Sequence, residues 1–421
     1  MKKWKYIVAG ICLSCMPLAL SFPSHAEEGV VVCIDPGHGG DNLGAQWNDY
    51  TEKEMTLIVA KAMKEQLEKY EDVTVYLTRE DDKSLSLEER AEYAASVQAD
   101  FLFCLHFNMS EAHTLFGSEV WISSVGELYS KGHAFGDIEL DALEEKGLLN
   151  RGVKTKLNEA GEEYYGILRH SVERNLPVAL IEHCHLDREE DVSVYDANEK
   201  LKALGELDGE SAAKYFRLRS DVLGTDYSSY EVPKTAVPQS AIGQDTTPPD
   251  ICSLSLMDQD KTNGETTFEV SAADYDSKII YYSYSYDGGA TFSELKPWPE
   301  GDTFRFTITI PSGILPQVVV AAYNNYDLFT NSNMVSTPSL SYAEDTGMTE
   351  HETIQETAET QDVLVISTVP DKSKNNNDNV KQSTFLYFLE VCLVAVLILF
   401  VLFLLTLLIL TEQKRKHRRK R

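Results

Sequence analysis

Cysteine is scarce where it could matter. Of seven, Cys12 and Cys15 fall in an apolar N-terminal stretch and Cys392 in an apolar C-terminal one. The other four, Cys33, Cys104, Cys184 and Cys252, are widely spaced and form no C-x-x-C pair. A disulfide framework and a zinc-finger pattern are therefore excluded. Cys33, Cys104 and Cys184 lie on apolar runs or at their ends, where cysteine acts as a small hydrophobe. Positive charge is also lacking, with a formal net charge of −29 over 421 residues. The two ends hide part of the acidity. Setting aside three lysines in the first 26 residues, seven Lys/Arg in the last eight and Glu412 leaves 28 basic against 66 acidic residues. Such a surface repels nucleic acid and anionic lipid, which excludes a DNA- or RNA-binding role and suits solubility outside a cell. No internal repeat is present.

The ends carry what the middle lacks. Lys2, Lys3 and Lys5 precede an apolar stretch over 6–20, and Ser24-His25-Ala26 offers a small-residue cleavage site. Residues 1–26 thus read as a secretory signal peptide, the alternative being an uncleaved anchor helix. Residues 391–410 are almost wholly apolar, broken only by Thr406, and eight residues rich in Lys and Arg close the chain. At ~1.5 Å per residue that run spans about 30 Å, enough for a transmembrane helix. The basic flank predicts a cytoplasmic C-terminus and an exported remainder.

Between the ends the composition changes twice. Residues 28–217 alternate apolar strands (30–35, 73–78, 101–106, 118–122 and 178–182) with helical patterns (52–70, 87–97 and 200–216). This predicts an α/β fold with a mostly parallel central sheet flanked by helices. Residues 218–245 read as a linker. Residues 246–341 switch to short tyrosine-rich, β-branched runs with period-two alternation and turn signals such as Asp287-Gly288-Gly289, which predicts a small all-β sandwich. Residues 342–384, rich in Glu, Thr, Asp and Asn, read as a flexible tether with a mean reach of about 35 Å. A transmembrane helix over 385–411 and a basic tail over 412–421 complete the expected order.

The chemistry starts at residues 30–40, VVVCIDPGHGG. A buried-strand pattern runs into Asp35 and a Pro-Gly-His-Gly-Gly loop that presents His38 at the strand's end, where α/β proteins place ligands and reactions. One imidazole cannot make a site. Glu52 opens the following helix, where the macrodipole alone would favour a carboxylate. His106 ends a second apolar strand, where a histidine could equally be a satisfied core residue. Glu182 follows five apolar residues, 177–181, and is costly to bury without a partner or a task. Two His, a carboxylate and an open position make up a catalytic zinc site, and a further non-ligating carboxylate can act as base.

In order and spacing these phrases resemble the zinc-dependent N-acetylmuramoyl-L-alanine amidases, the amidase-3 type of cell-wall hydrolase. The matching residues, within 30–216, are IDPGHGG with Gly44-Ala45, Glu52-Lys53-Glu54, Leu77-Thr78-Arg79, Ser86-Leu87-Glu88-Glu89-Arg90, Leu105-His106-Phe107-Asn108 and 177–182. The resemblance implies Zn2+ held by His38, Glu52 and His106, Glu182 as the catalytic carboxylate, and peptidoglycan as substrate. The phrases around Thr246–Pro249 and YSYDGGATF (284–292) loosely resemble bacterial Ig-like modules, implying a spacer or adhesion role. The chain departs from the amidase pattern after Glu182, where His183-Cys184-His185-Leu186-Asp187 replaces a Gly-Phe-Leu-Ser/Thr-Asn type of sequence. His183 and His185 are either extra ligands or acid groups, or residues that line or support the cleft. Cys184, sharing Glu182's parity if the strand continues, reads as packing. His113, His133 and His170 match no family site and read as surface or structural residues.

The expected reaction is hydrolysis of the amide joining the muramic acid lactyl group to L-alanine. Two other readings stand beside it: a catalytically idle wall-binding or regulatory module, and a zinc peptidase acting on stem peptides. The expected setting is a cell membrane, crossed once, with the catalytic domain on the cell-wall side.

Overall fold

The computed structural model describes residues 29–342. The expected signal peptide (1–26), the tether beyond residue 342, the transmembrane helix (385–411) and the basic tail (412–421) lie outside the described residues. Among the described residues no helix is long and apolar enough to cross a membrane.

The N-terminal half runs β1 (Val30–Pro36), α1 (Glu52–Leu67), β2 (Val73–Leu77), α2 (Leu87–Ser96), β3 (Phe101–Asn108), β4 (Ser118–Ile122), α3 (Gly126–Glu144), β5 (Asn150–Lys154), α4 (Gly166–Glu173), β6 (Val178–His185) and α5 (Asn198–Phe216). Their sheet order is β2-β1-β3-β6-β4-β5. The first four strands are mutually parallel, whereas β4 runs antiparallel to β6 and carries β5 parallel to itself. The sheet is therefore mixed, with a parallel four-stranded core. Its strands are apolar on both sides because both faces are covered. One face carries Val32, Ile34, Phe101, Phe103 and Ile181 against α1 and α5; the other carries Cys33, Leu102, Cys104, Val178 and Leu180 against α2 and α4. The three internal cysteines expected as packing are buried free thiols.

This arrangement gathers the C-terminal ends of β1, β3 and β6 at one edge. Helix α1 buries Met55, Val59 and Met63 at spacings of four, and its first turn holds Glu52 at that edge. Helix α2 starts at a capping box. The Ser86 hydroxyl accepts from Glu89 N–H at 3.2 Å and the Glu89 carboxylate accepts from Ser86 N–H at 2.7 Å.

Strand β6 corrects one expectation. Its register against β3 pairs His106 with Glu182 and Asn108 with His185, so three steps on β6 oppose two on β3. A bulge of this kind turns the residues after Glu182. Cys184 consequently joins the α1/α5 core with Ile181 and Leu186 instead of sharing Glu182's side.

The second half consists of two antiparallel sheets. Strands β7 (Ile251–Gln259), β8 (Glu265–Ala273) and β10 (Thr303–Thr309) form one; β9 (Ile279–Ser285) and β11 (Gln317–Asn324), with short edge strands, form the other. Every second residue of β8 is buried. Leu254, Phe268, Val270 and Ile308 meet Tyr282, Val318 and Val320 of the facing sheet in a common core. Residues 218–245 hydrogen-bond to the first half. Ile242 N–H donates to Ser124 C=O at 2.9 Å, and Leu157 N–H donates to the Gln244 side chain at 2.9 Å. Both halves belong to one compact unit.

Candidate metal centre

The Pro36-Gly37-His38 loop is clamped by two buried arginines. Arg90 donates to the Asp35 carboxylate and to Pro36 C=O, both at 2.8 Å, and to His38 C=O at 2.6 Å. Arg79 donates to Pro36 C=O at 2.9 Å and to Gly37 C=O at 2.7 Å. Asp35 also accepts from the Thr78 hydroxyl. The phrases around Thr78-Arg79 and Ser86–Arg90 therefore hold the loop that carries His38, a role their positions in sequence did not disclose. His38 itself has a φ of 63°, the left-handed region, a strained conformation of the sort that clusters at functional sites. At Gly37 a Cβ would lie 2.4 Å from the His106 ring.

Glu52 is the centre of the arrangement. Its Oε1 accepts from Phe107 N–H at 2.9 Å and faces His106 Nδ1 at 2.9 Å. Its Oε2 accepts from Ala45 N–H at 2.7 Å and faces His38 Nε2 at 2.9 Å. Burial works against the ionised form, but the hydrogen bonds and charges of the two imidazoles prevail and hold the carboxyl well below its ordinary range. One donor atom from each of His38, Glu52 and His106 lies within 4.8 Å of the others. The three residues singled out in sequence are brought together.

The donor set fits a divalent cation. Asn42 Oδ1 accepts from Gly44 N–H at 3.2 Å, which identifies it as the amide oxygen, and lies 3.0 Å from His38 Nδ1. Nδ1 must then be the protonated nitrogen of His38. Whenever the ring is neutral, the Nε2 lone pair is aimed at a carboxylate oxygen. Two facing lone pairs call for a cation between them, a proton or a metal ion. Two imidazoles, one carboxylate and an open side are the donor set of a catalytic zinc site, with an outer oxygen fixing the histidine tautomer.

Glu182 opens into the same cleft, a cavity of about 650 Å³ that also takes in His38, Glu52, His106, Asn108, Arg90 and Tyr165. Its Oε2 is shielded from solvent and has no hydrogen-bond partner. Burial, followed by the charges of Glu52 and Glu119, pushes its carboxyl well above the ordinary range.

The two histidines after Glu182 sit behind the cleft. His183 is buried, with Nδ1 donating to His106 C=O at 2.9 Å and Nε2 3.0 Å from the Asp208 carboxylate. Together with Asp208 and Glu139 it makes a second, fully buried grouping of ligand-type side chains. His185 donates from Nδ1 to Gly117 C=O at 3.1 Å, and burial presses its pKa down to about 4. Neither is among the residues lining the cleft, and His183 reaches it only through the His106 backbone. His113 pairs with Asp187 at 2.6 Å, His133 with Asp137 at 3.0 Å and His170 with Glu173 at 3.2 Å, all away from Glu52. Sequence reasoning missed Asn42, which lies between IDPGHGG and Gly44-Ala45, and Glu119, in the apolar run 118–122.

Residues 32–212 match the family model Amidase_3, N-acetylmuramoyl-L-alanine amidase. The uncharacterized protein YqiI of Bacillus subtilis (strain 168) is 32% identical over 152 residues, covering 36% of this chain and 72% of YqiI. N-acetylmuramoyl-L-alanine amidase LytC of the same strain is 34% identical over 127 residues, covering 30% of this chain and 25% of LytC. The sporulation-specific N-acetylmuramoyl-L-alanine amidase of that strain is 33% identical over 174 residues, 41% of this chain and 60% of that protein. The chain thus spans from a quarter to under three quarters of these relatives. Residues 32–212 therefore form an Amidase_3 domain, and N-acetylmuramoyl-L-alanine amidases are among the chain's relatives.

Proposed function

We propose that this protein is a zinc-dependent N-acetylmuramoyl-L-alanine amidase that hydrolyses the amide between the muramic acid lactyl group and L-alanine of peptidoglycan. The observation that carries the reading is the convergence of His38, Glu52 and His106 beside a partnerless Glu182 in one open cleft. Amides resist water because resonance stabilises the ground state and the amine leaves poorly. Zinc held by His38, Glu52 and His106 would supply Lewis acidity, polarising the carbonyl and lowering the pKa of water toward ~7.

The protein's own groups do the rest. Asn42 accepts from His38 Nδ1–H and so leaves Nε2 as the nitrogen facing the metal position, while the amides of Ala45 and Phe107 orient the Glu52 carboxylate. Glu182 takes the proton of the attacking water and returns it to the departing amine.

The sandwich over 246–341 is read as an Ig-like module, and residues 385–411 as a membrane anchor holding the enzyme on the cell-wall side of a membrane. Support for these assignments comes from the alternation of β8 and from the apolar run with its basic flank. The test is mass analysis of products from purified peptidoglycan incubated with the zinc-loaded chain. Peptides with a free L-alanine amino group and intact glycan strands are expected. Stem peptides cut internally would establish a peptidase instead, and intact peptidoglycan would establish an idle binding module.

A further inference from the structure

Glu182 lies in a cross-strand row on the sheet. Its partner on β3 is His106 and its partner on β4 is Glu119. A second carboxylate beside a catalytic one is an electrostatic burden unless it is neutralised. Glu119 is almost wholly buried and fully partnered. Its Oε1 accepts from Asn108 Nδ2 at 3.1 Å and Trp121 Nε1 at 3.0 Å; its Oε2 accepts from Arg151 Nε at 2.8 Å and Lys154 Nζ at 2.6 Å. Burial opposes ionisation there, but Lys154 and Arg151 outweigh it and hold Glu119 below the ordinary carboxylate range.

The two cations are in turn secured from outside the catalytic half. Arg151 Nη1 donates to Tyr281 Oη at 2.6 Å, and Nη2 reaches both Asp327 oxygens at 3.1 and 3.0 Å. Tyr281 is completely buried and its hydroxyl donates to Phe116 C=O, two residues before β4. Tyr326 accepts from Thr155 N–H at 3.3 Å and donates to Thr155 C=O at 3.2 Å, and its ring lies 5.6 Å from Lys154 Nζ. Gly152, between the two cations, leaves only 3.0 Å between a would-be Cβ and the Asn325 side chain. Thus β9 and the 325–327 turn close over β5 and leave Arg151 and Lys154 no more than a few per cent exposed.

We infer that the β-sandwich module is a working part of the amidase site: Tyr281 and Asp327 are positioning residues that, through Arg151, hold Glu119 and thereby hold Asn108 in the cleft beside Glu182. The inference rests on the amidase reading. A spacer needs only a covalent join, whereas this module spends a buried phenol, a bidentate carboxylate and an aromatic cover on two side chains one strand away from the catalytic carboxylate. With the Asp327 charge removed, Nη2 of the buried Arg151 loses its ionic partner, which weakens the hold that keeps the guanidinium against Glu119.

The experiment uses the full chain, with Tyr281→Phe, Asp327→Asn and Glu119→Gln singly and each of the first two combined with Glu119→Gln. Arg305→Ala, which removes an exposed pair with Glu269 on the same module, is the control. Peptide release from peptidoglycan gives kcat and KM, and metal analysis gives zinc content. Asp327→Asn should lower kcat by about tenfold or more, the usual effect of losing an outer-shell partner. KM and zinc content should stay within about twofold of wild type and Arg305→Ala should match it. Combined with Glu119→Gln, neither Asp327→Asn nor Tyr281→Phe should cause a further loss, because both act through Glu119. Unchanged kcat in both single variants, or losses that multiply fully with that of Glu119→Gln, would overturn the inference while leaving the amidase reading intact. A wild-type chain that releases no peptide overturns the amidase reading, and this inference with it.

Discussion

Replacing Gly44 by alanine separates two effects that usually arrive together. Gly44 has a φ of +71°, and a Cβ there would lie 2.4 Å from Glu52 Oε2 and 2.5 Å from the His38 ring. The backbone term alone costs an alanine about 1 kcal/mol in the left-handed region, partly offset by a less flexible unfolded chain. The contact term is different in kind, because 2.4 Å is closer than any real Cβ approach and two metal-site side chains must move. Gly161 supplies the control, with a φ of +77° and nothing within 4 Å of its would-be Cβ. Both variants should melt a few degrees below wild type, since about 1 kcal/mol shifts Tm by ~2–4 °C in a domain of this size. Only Gly44→Ala should lose zinc affinity. Displacing ligands and the Asn42 bond together should cost at least about 10–100-fold, or roughly 1.4–2.7 kcal/mol. Titration of zinc against a competing chelator measures this directly. Equal zinc affinity in the two variants would refute the claim that His38 and Glu52 hold the ion.

Glu182→Gln should retain zinc yet lose about 10²–10⁴ in kcat, the range of a general acid–base residue, as read from peptide release and metal content on one sample. His38→Ala should lose metal and activity together in the same pair of measurements. Arg90→Met should lower stability by about 3–5 kcal/mol in urea unfolding, because it leaves Asp35 charged, buried and short of its partner and frees two loop carbonyls. Saturating zinc should raise the melting temperature of wild type, by an amount equivalent to about 2.7 kcal/mol at a hundredfold excess over Kd, and should leave His38→Ala unmoved.

The parallel core of the sheet was legible because its strands carry apolar runs that end at chemistry-bearing residues. His38, His106 and Glu182 stand at or just past such ends, whereas Glu52 opens the helix after the first of them. Helix α3 was not legible. It contains Gly126, Gly132 and Gly136, which read as breaks in a helical pattern. The structure explains two of them by close approach. A Cβ at Gly132 would meet Ile122 at 2.9 Å, and one at Gly136 would meet Val153 at 2.7 Å, so the glycines let the helix lie against β4 and β5. The direction of β4 was equally hidden, since a buried run of five residues looks the same in either orientation. The turn of β6 after Glu182 depends on its register with β3, and no local pattern encodes a bulge at His183-Cys184. Glu119 was missed for the opposite reason. A single acid within an apolar run carries no mark of the arginine 32 residues later that neutralises it, still less of an aspartate 176 residues from that arginine.

The most direct measurement is anomalous diffraction at the zinc edge from crystals of the zinc-loaded protein. The account predicts one strong peak bounded by His38, Glu52 and His106 at ligand distances of about 2.0–2.2 Å, with Glu182 across the cleft from it. A peak among Glu139, His183 and Asp208 instead, or none beside Glu52 in a protein that cleaves its substrate, would contradict it.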